Sequence, residues 1–87
     1  MFDTKVSTPL PSPAQLRAAR HLLSLAQADV AAATRLSLPT IKRAESDRDV
    51  SVSDQAVAAI RSALEAAGVI FVAENGEGPG VRLRKEK

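Results

Sequence analysis

The side chains best suited to chemistry lie between positions 37 and 48, where hydroxyl groups alternate with cationic groups at short spacing. They are Ser37, Thr40, Lys42, Arg43, Ser46 and Arg48. Guanidinium, ammonium and hydroxyl groups hydrogen-bond to phosphate oxygens and to the acceptor atoms on base edges. The pattern therefore favours recognition of a polyanion over the making or breaking of bonds.

Catalytic and metal sites are poorly supported by the composition. The chain has one histidine, His21, and no cysteine. No nucleophile–base pair, carboxylate dyad or set of metal ligands can be assembled from what remains. We therefore expect no enzymatic activity, no metal and no cofactor. Only 2% of the residues are aromatic, which argues against binding single strands by base stacking.

The small net charge of +2 conceals an uneven distribution. Residues 14–48 carry six basic against three acidic residues, and residues 81–87 carry four against one. Residues 49–77 carry five acidic residues and only Arg61. This distribution predicts one surface suited to a polyanion and another suited to a different contact.

A chain of 87 residues predicts one domain. No stretch approaches the ~20 consecutive apolar residues of a membrane span, and the first residues lack the pattern of a signal peptide. We therefore expect a cytoplasmic protein with no membrane partner, associated with the nucleoid when it is bound to DNA.

Four helices are predicted to position the polar side chains. After an expected flexible arm over residues 1–11, Ser12, Pro13 and Gln15 form the pattern of a capping box, which predicts a helix over about 13–24. A second helix is expected over 27–34 and a third over 38–45, separated by a break at 35–37. Ser53 is expected to cap a fourth helix that ends at Gly68.

The pattern changes after Gly68. Residues 69–72 form a continuous β-branched and aromatic run, and residues 81–84 alternate apolar and basic side chains, with a glycine-rich turn between them. This predicts a β-hairpin. The expected fold is mainly α, with residues 12–68 as the helical domain and residues 69–87 as a hairpin with a basic tail.

Residues 16–64 resemble the Xre/Cro, lambda-repressor-like family of prokaryotic and phage helix-turn-helix proteins. The matching features are Gln27 at the start of the second helix, the Val30-Ala31 pair, and Ile41 and Glu45 in the third helix. The resemblance implies four to five helices of the lambda-repressor-like type, with an ion pair between Arg20 and Glu45. It also implies a double-stranded DNA partner and a third helix in the major groove.

In the third helix, Ile41 and Ala44 should face the core of the domain. The outward side is left for base contacts, by Leu38, Pro39, Thr40, Lys42 and Arg43. Arg43 is the best candidate for reading a guanine. Expected phosphate contacts are Ser37 at the helix start and Gln27, through its side-chain amide and its backbone N–H. The resemblance adds Ser46 and Arg48. Arg17 and Arg35 are expected to be solvated or loosely steering charges.

Three positions depart from the family pattern. Arg35 stands where glycine is common because one residue of that turn tends to need a positive φ. Ala26 stands where Ser or Thr usually caps the second helix. Leu38 and Pro39 replace polar residues that are often used for base contacts, which weakens the expected readout by hydrogen bonds.

The leading hypothesis is a sequence-specific transcriptional repressor that binds an inverted-repeat operator as a homodimer, through the hairpin or the fourth helix. Two alternatives remain open. One is an antitoxin that represses its own operon and binds a small protein partner. The other is a protein-interaction module on the same fold. The basic tail is expected either to extend the DNA contact or only to aid solubility.

Overall fold

The computed structural model describes residues 10–48 and 50–85. In this part of the chain, four helices precede a two-stranded antiparallel hairpin. The helices are α1 (Pro13–Leu22), α2 (Gln27–Thr34), α3 (Leu38–Ala44) and α4 (Asp54–Ala67), and the strands are β1 (Val69–Val72) and β2 (Gly80–Leu83). The predicted mainly helical domain with a C-terminal hairpin is thus confirmed.

The predicted element boundaries differ from the observed ones by one or two residues. α1 ends at Leu22 instead of residue 24, because Ser24 adopts a left-handed conformation with φ 58°. α3 ends at Ala44, and Glu45 serves as its C-cap. β2 lies over 80–83 instead of 81–84. Of the predicted arm, residues 1–9 lie outside the described residues, whereas Pro11 is already buried.

The core is a single apolar cluster that draws on every helix and on β1. Its fully or nearly fully buried members are Leu16, Ala19, Val30, Ile41, Ala44, Ile60, Leu64 and Val69. Small alanines allow the short helices to approach each other closely, and the β-branched and leucine side chains fill the space between them. Ala67, the last residue of α4, is exposed.

Serine caps begin three of the helices. Ser12, Ser37 and Ser53 each accept a hydrogen bond from a backbone N–H in the first turn. In α1 the capping box is complete, because Gln15 Oε1 accepts from the N–H of Ser12 at 2.8 Å. Gly68 ends α4 with φ 122°, a conformation that side-chain-bearing residues rarely adopt.

Gln15 also joins α1 to the hairpin. Its Nε2 donates to the carbonyl oxygens of Val72 at 3.2 Å and Gly80 at 3.0 Å, which face each other across the ladder. At the opposite end of the hairpin, Arg84 donates to the carbonyl oxygen of Glu65 at 2.8 Å. The hairpin is therefore fastened to α1 and to α4 by hydrogen bonds as well as by apolar packing.

Replacing Gln15 with Ala should lower the free energy of unfolding by about 1–3 kcal/mol, because it removes a helix cap and leaves hairpin carbonyls without their side-chain donor. Urea denaturation followed by circular dichroism measures this change. Gln55→Ala, at an exposed position of α4, is the matched control and should stay within ~0.5 kcal/mol of wild type. Equal effects of the two substitutions would contradict the bridging role of Gln15.

Candidate nucleic-acid interface

A buried ion pair fixes the end of α3 against α1. Arg20 Nε donates to Glu45 Oε2 at 2.8 Å, and Arg20 Nη2 donates to Glu45 Oε1 at 2.9 Å. Only 11% of the Arg20 side chain and 3% of the Glu45 side chain are exposed. The hydrogen bond to Glu45 raises the pKa of Arg20 above its usual value. The predicted pairing of these two residues is confirmed.

The ion pair is completed by two further hydrogen bonds. Arg20 Nη1 donates to the carbonyl oxygen of Leu25 at 3.0 Å, and Gln27 Nε2 donates to Glu45 Oε1 at 3.1 Å. A buried carboxylate needs such partners, since leaving one unpaired costs several kcal/mol. The network joins α1, the α1–α2 turn, α2 and the end of α3, and so sets the position of α3 on the domain.

Gln27 was predicted to offer its side-chain amide to a phosphate, and the structure shows that this amide also contacts Glu45. Its Nε2 donates to Glu45, and the residue is half-buried. One N–H of the amide is used in this contact, which leaves its second N–H and the backbone N–H at the start of α2 for the predicted phosphate contact. The sequence did not indicate this contact with Glu45, and the phosphate contact of Gln27 stays a prediction.

Arg17, expected to be a solvated charge, has a structural role that the sequence reading missed. Its Nη1 donates to the carbonyl oxygen of Glu45 at 2.6 Å and to Asp47 Oδ1 at 2.9 Å. It therefore supplies a donor to the C-terminal end of α3, where helix carbonyls lack partners. The spacing of three residues between Arg17 and Arg20 on one helix was the signal that could have indicated this role.

The outward face of α3 presents the predicted base-contacting residues together. Leu38, Pro39, Lys42 and Arg43 are exposed and Thr40 is half-buried, whereas Ile41 and Ala44 are buried against the core. Among the described residues, Lys42 and Arg48 have no hydrogen-bonding or ion-pair partner for their side chains. Two cationic groups close to α3 are thus available to an external ligand.

A short chain of hydrogen bonds runs along the exposed side of α3. The hydroxyls of Ser37 and Thr40 lie 2.8 Å apart, and Arg43 Nη2 donates to Thr40 Oγ1 at 3.4 Å. Ser37 also accepts from the N–H of Thr40 at 3.2 Å, so its hydroxyl serves first as a helix cap. The contact with Thr40 directs the Arg43 guanidinium along the helix toward its N-terminal end, while the remaining N–H donors stay available.

The two other predicted phosphate contacts lie just beyond α3. Ser46 is half-buried, and its Oγ accepts from the N–H of Arg48 at 3.0 Å. Arg48 itself is exposed. The loop is thus stabilised by a local hydrogen bond that uses the backbone of Arg48 and not its side chain.

The turn between α2 and α3 contains the unusual backbone that the sequence suggested. Arg35 adopts the left-handed conformation with φ 63° and ψ 20°, which costs a residue bearing a side chain roughly 1–2 kcal/mol. Ala26 supplies no side-chain cap to α2, but Asp29 Oδ2 accepts from the N–H of Ala26 at 2.7 Å. Half of a capping box therefore remains.

No family model matches this chain, and no curated protein matches it. Among the helices of the described residues, none combines the length and the apolar character that a membrane-spanning segment requires. Within residues 10–48 and 50–85, no three His, Cys, Asp or Glu side chains are placed to share a metal ion.

Glu45→Ala should lower the free energy of unfolding by about 3–5 kcal/mol, because it leaves the Arg20 guanidinium without its anionic partner in a largely buried site. The control is Asp47→Ala, which breaks an ion pair whose carboxylate is 78% exposed, and it should cost less than ~1 kcal/mol. Thermal and urea denaturation of both variants measure the difference. Comparable losses would show that burial does not set the strength of these pairs.

Arg35→Gly should raise the free energy of unfolding by about 0.5–1 kcal/mol, because glycine adopts a positive φ without steric cost. Arg35→Ala removes the same charge but keeps a Cβ, so it should give no such gain. Urea denaturation of the two variants separates the backbone effect from the charge effect. A gain in both variants would assign the effect to charge instead.

Proposed function

We propose that this protein is a sequence-specific double-stranded DNA-binding regulator of the Xre/Cro, lambda-repressor-like type. It acts as a repressor by occupying an inverted-repeat operator as a homodimer. In this proposal α2 and α3 form the helix-turn-helix, and α3 enters the major groove. The observation that carries the proposal is the outward face of α3, where Arg43 and Lys42 stand exposed on a helix whose opposite face is anchored in the core.

The dimensions of the helix suit this role. Seven residues of α3 span about 10 Å at the usual rise per residue, and the major groove admits an α-helix. Arg43 has free donors for the two acceptor atoms of a guanine edge, and the Thr40 hydroxyl holds its guanidinium in place. A side chain held in this way loses less conformational entropy when it binds.

The charge distribution of the domain supports the same face. Two basic residues of the 14–48 region, Arg17 and Arg20, are occupied by internal contacts with Asp47 and Glu45. The cations left for a polyanion are therefore Lys42 and Arg43 on α3, Arg48 just beyond it, and Arg35 in the preceding turn. All four are exposed and lie within or directly beyond the helix-turn-helix along the chain, where cations that contact the phosphate backbone are needed.

Leu38 gives the readout an apolar element. It is 37% exposed at the start of α3, beside the exposed Pro39. An apolar side chain at that position can contact the methyl group of a thymine but cannot donate a hydrogen bond. We therefore propose that guanine recognition by Arg43 is combined with a thymine contact by Leu38. The exposed Leu38 and Pro39 are also the feature that most favours the alternative function, a protein-interaction module. The DNA-binding test below distinguishes the two functions.

A gel-shift titration with the DNA upstream of the protein's own coding sequence tests the proposal. Arg43→Ala should reduce the preference for the specific site over a scrambled duplex by roughly 5–150-fold, which corresponds to the loss of one bidentate base contact. Arg82→Ala, a change of the same kind on the exposed side of β2, is the control and should leave that preference unchanged.

Arg48→Ala separates phosphate contact from base reading. It should weaken binding to all sequences about equally, and should lower the slope of log K against log salt by about one. Preserved specificity in Arg43→Ala would remove the reading role from this residue. Absence of any specific shift by the wild-type chain would favour a protein-interaction module.

A further inference from the structure

We propose that the outer edge of β1 pairs antiparallel with the same edge of a second copy of this chain, with Phe71 beside the twofold axis. The inference builds on the homodimer of the proposed function and names the strand and the register of its interface. It rests on the backbone of the hairpin and on the charges of its two strands, and its test requires no DNA.

The hydrogen-bond ladder shows which backbone groups point outward. β1 and β2 pair with Ile70 opposite Arg82 and Val72 opposite Gly80, and the N–H of Arg84 donates to the carbonyl oxygen of Gly68 at 2.7 Å. In this register Gly68 lies opposite Arg84, so their hydrogen bond marks a hydrogen-bonded pair. Because hydrogen-bonded and non-hydrogen-bonded pairs alternate in an antiparallel ladder, the pairs of Ile70 with Arg82 and of Val72 with Gly80 are also hydrogen-bonded. The N–H and C=O of Phe71 therefore point away from β2.

No described residue pairs with this outer edge of β1 through backbone hydrogen bonds. The N–H and C=O groups of Phe71 form no hydrogen bond with any described residue. The side chains along β1 are Val69, Ile70, Phe71 and Val72, so the strand carries no charge and no proline. Natural edge strands usually carry a charged residue or a proline, which prevents pairing with another chain. Their absence from β1 leaves an edge that accepts a further strand.

The outer edge of β2 is protected against the same pairing. A twofold axis at Arg82 would place this residue opposite its own copy, and an axis at Leu83 would place Arg82 opposite Arg84. Like charges in directly opposite positions destabilise a strand pair. An axis at Val81 would bring Leu83 opposite Pro79, which has no N–H to donate. Charge and hydrogen bonding therefore select β1.

Side-chain complementarity selects the register on β1. With the axis at Phe71, each Ile70 lies opposite Val72 of the second copy, in a non-hydrogen-bonded pair where side chains approach most closely. With the axis at Ile70, Val72 would lie opposite Gly68. With the axis at Val72, Ile70 would lie opposite the carboxylate of Glu74. Only the Phe71 register matches both β-branched residues with apolar partners.

Such a dimer extends the two-stranded hairpin into a four-stranded antiparallel sheet. Its outer face carries Ile70 and Val72 of both copies, which are only half-buried in the single chain. The inner face brings the two Phe71 rings beside each other, each with an Arg61 guanidinium 5.9 Å from its ring centre. The isologous contact satisfies backbone groups and covers apolar surface together.

Sedimentation equilibrium of the full chain without DNA tests the interface. The wild-type chain should have twice its 9.2 kDa mass, and Ile70→Lys should weaken the dimer roughly tenfold or more, because it places a lysine against Val72 of the second copy. Leu83→Lys, at a 51% exposed position of β2, is the control and should remain dimeric. Circular dichroism confirms that each variant is folded.

A wild-type monomer at all concentrations would overturn the proposal and leave the edge to a different partner. A folded Ile70→Lys variant that stays fully dimeric would overturn it as well, and would move the interface elsewhere, for example to α4. DNA binding is measured separately, so a monomer that binds its operator refutes this interface without refuting the proposed function. A dimer that does not bind DNA would refute the proposed function without refuting this interface.

Disulfide trapping tests the register, since the natural chain has no cysteine. Opposite residues of a non-hydrogen-bonded pair have Cα atoms about 4.5 Å apart, which lies within the range for a disulfide. A mixture of Ile70→Cys and Val72→Cys chains should therefore oxidise to a covalent dimer. Each variant alone should cross-link much more slowly. Rapid cross-linking of Ile70→Cys alone would place the axis at Ile70. Rapid cross-linking of Val72→Cys alone would place it at Val72. Either result would overturn the Phe71 register.

Discussion

The Glu45 carboxylate is the constraint on which the arrangement of the helices depends. It is buried at the end of α3, so it must be paired, and both of its oxygens are used by Arg20 and Gln27. These partners come from α1 and from the first residue of α2. Satisfying a single buried charge therefore fixes three helices relative to one another, and the outward face of α3 receives its orientation from this inner contact.

The helical part of the fold could be predicted because its signals are local. Ser12, Ser37 and Ser53 cap helices, Gly68 ends one, and the apolar spacing between them is helical. The contact of Arg17 with Glu45 and the contacts of Gln15 with the hairpin could not be predicted in the same way, since these partners lie 28 residues or more away along the chain. Gln27 is a similar case. Its place at the start of α2 was predicted, but its contact with Glu45 depends on how α3 packs against α2.

The turn before α3 holds a strained residue, and β1 carries an unprotected edge. Arg35 holds a left-handed conformation in the turn that precedes α3, where a glycine would relieve the backbone and remove a cation. β1 presents an uncharged edge beside a strand protected by arginines and a proline. The backbone at Arg35 is less stable than a glycine would make it, and the β1 edge lacks the charges that prevent strand pairing. Such departures are expected where residues are selected for contact with another molecule.

The double contact of Gln15 with Val72 and Gly80 also has a consequence for the order of folding. Its two carbonyl partners lie 57 and 65 residues further along the chain, and Val69 of the core belongs to the same late segment. During synthesis, α1 is made long before the hairpin that covers it. The domain therefore completes its core only after β1 and β2 have left the ribosome, and a chain terminated before β1 would expose the apolar surface of α1 and α4.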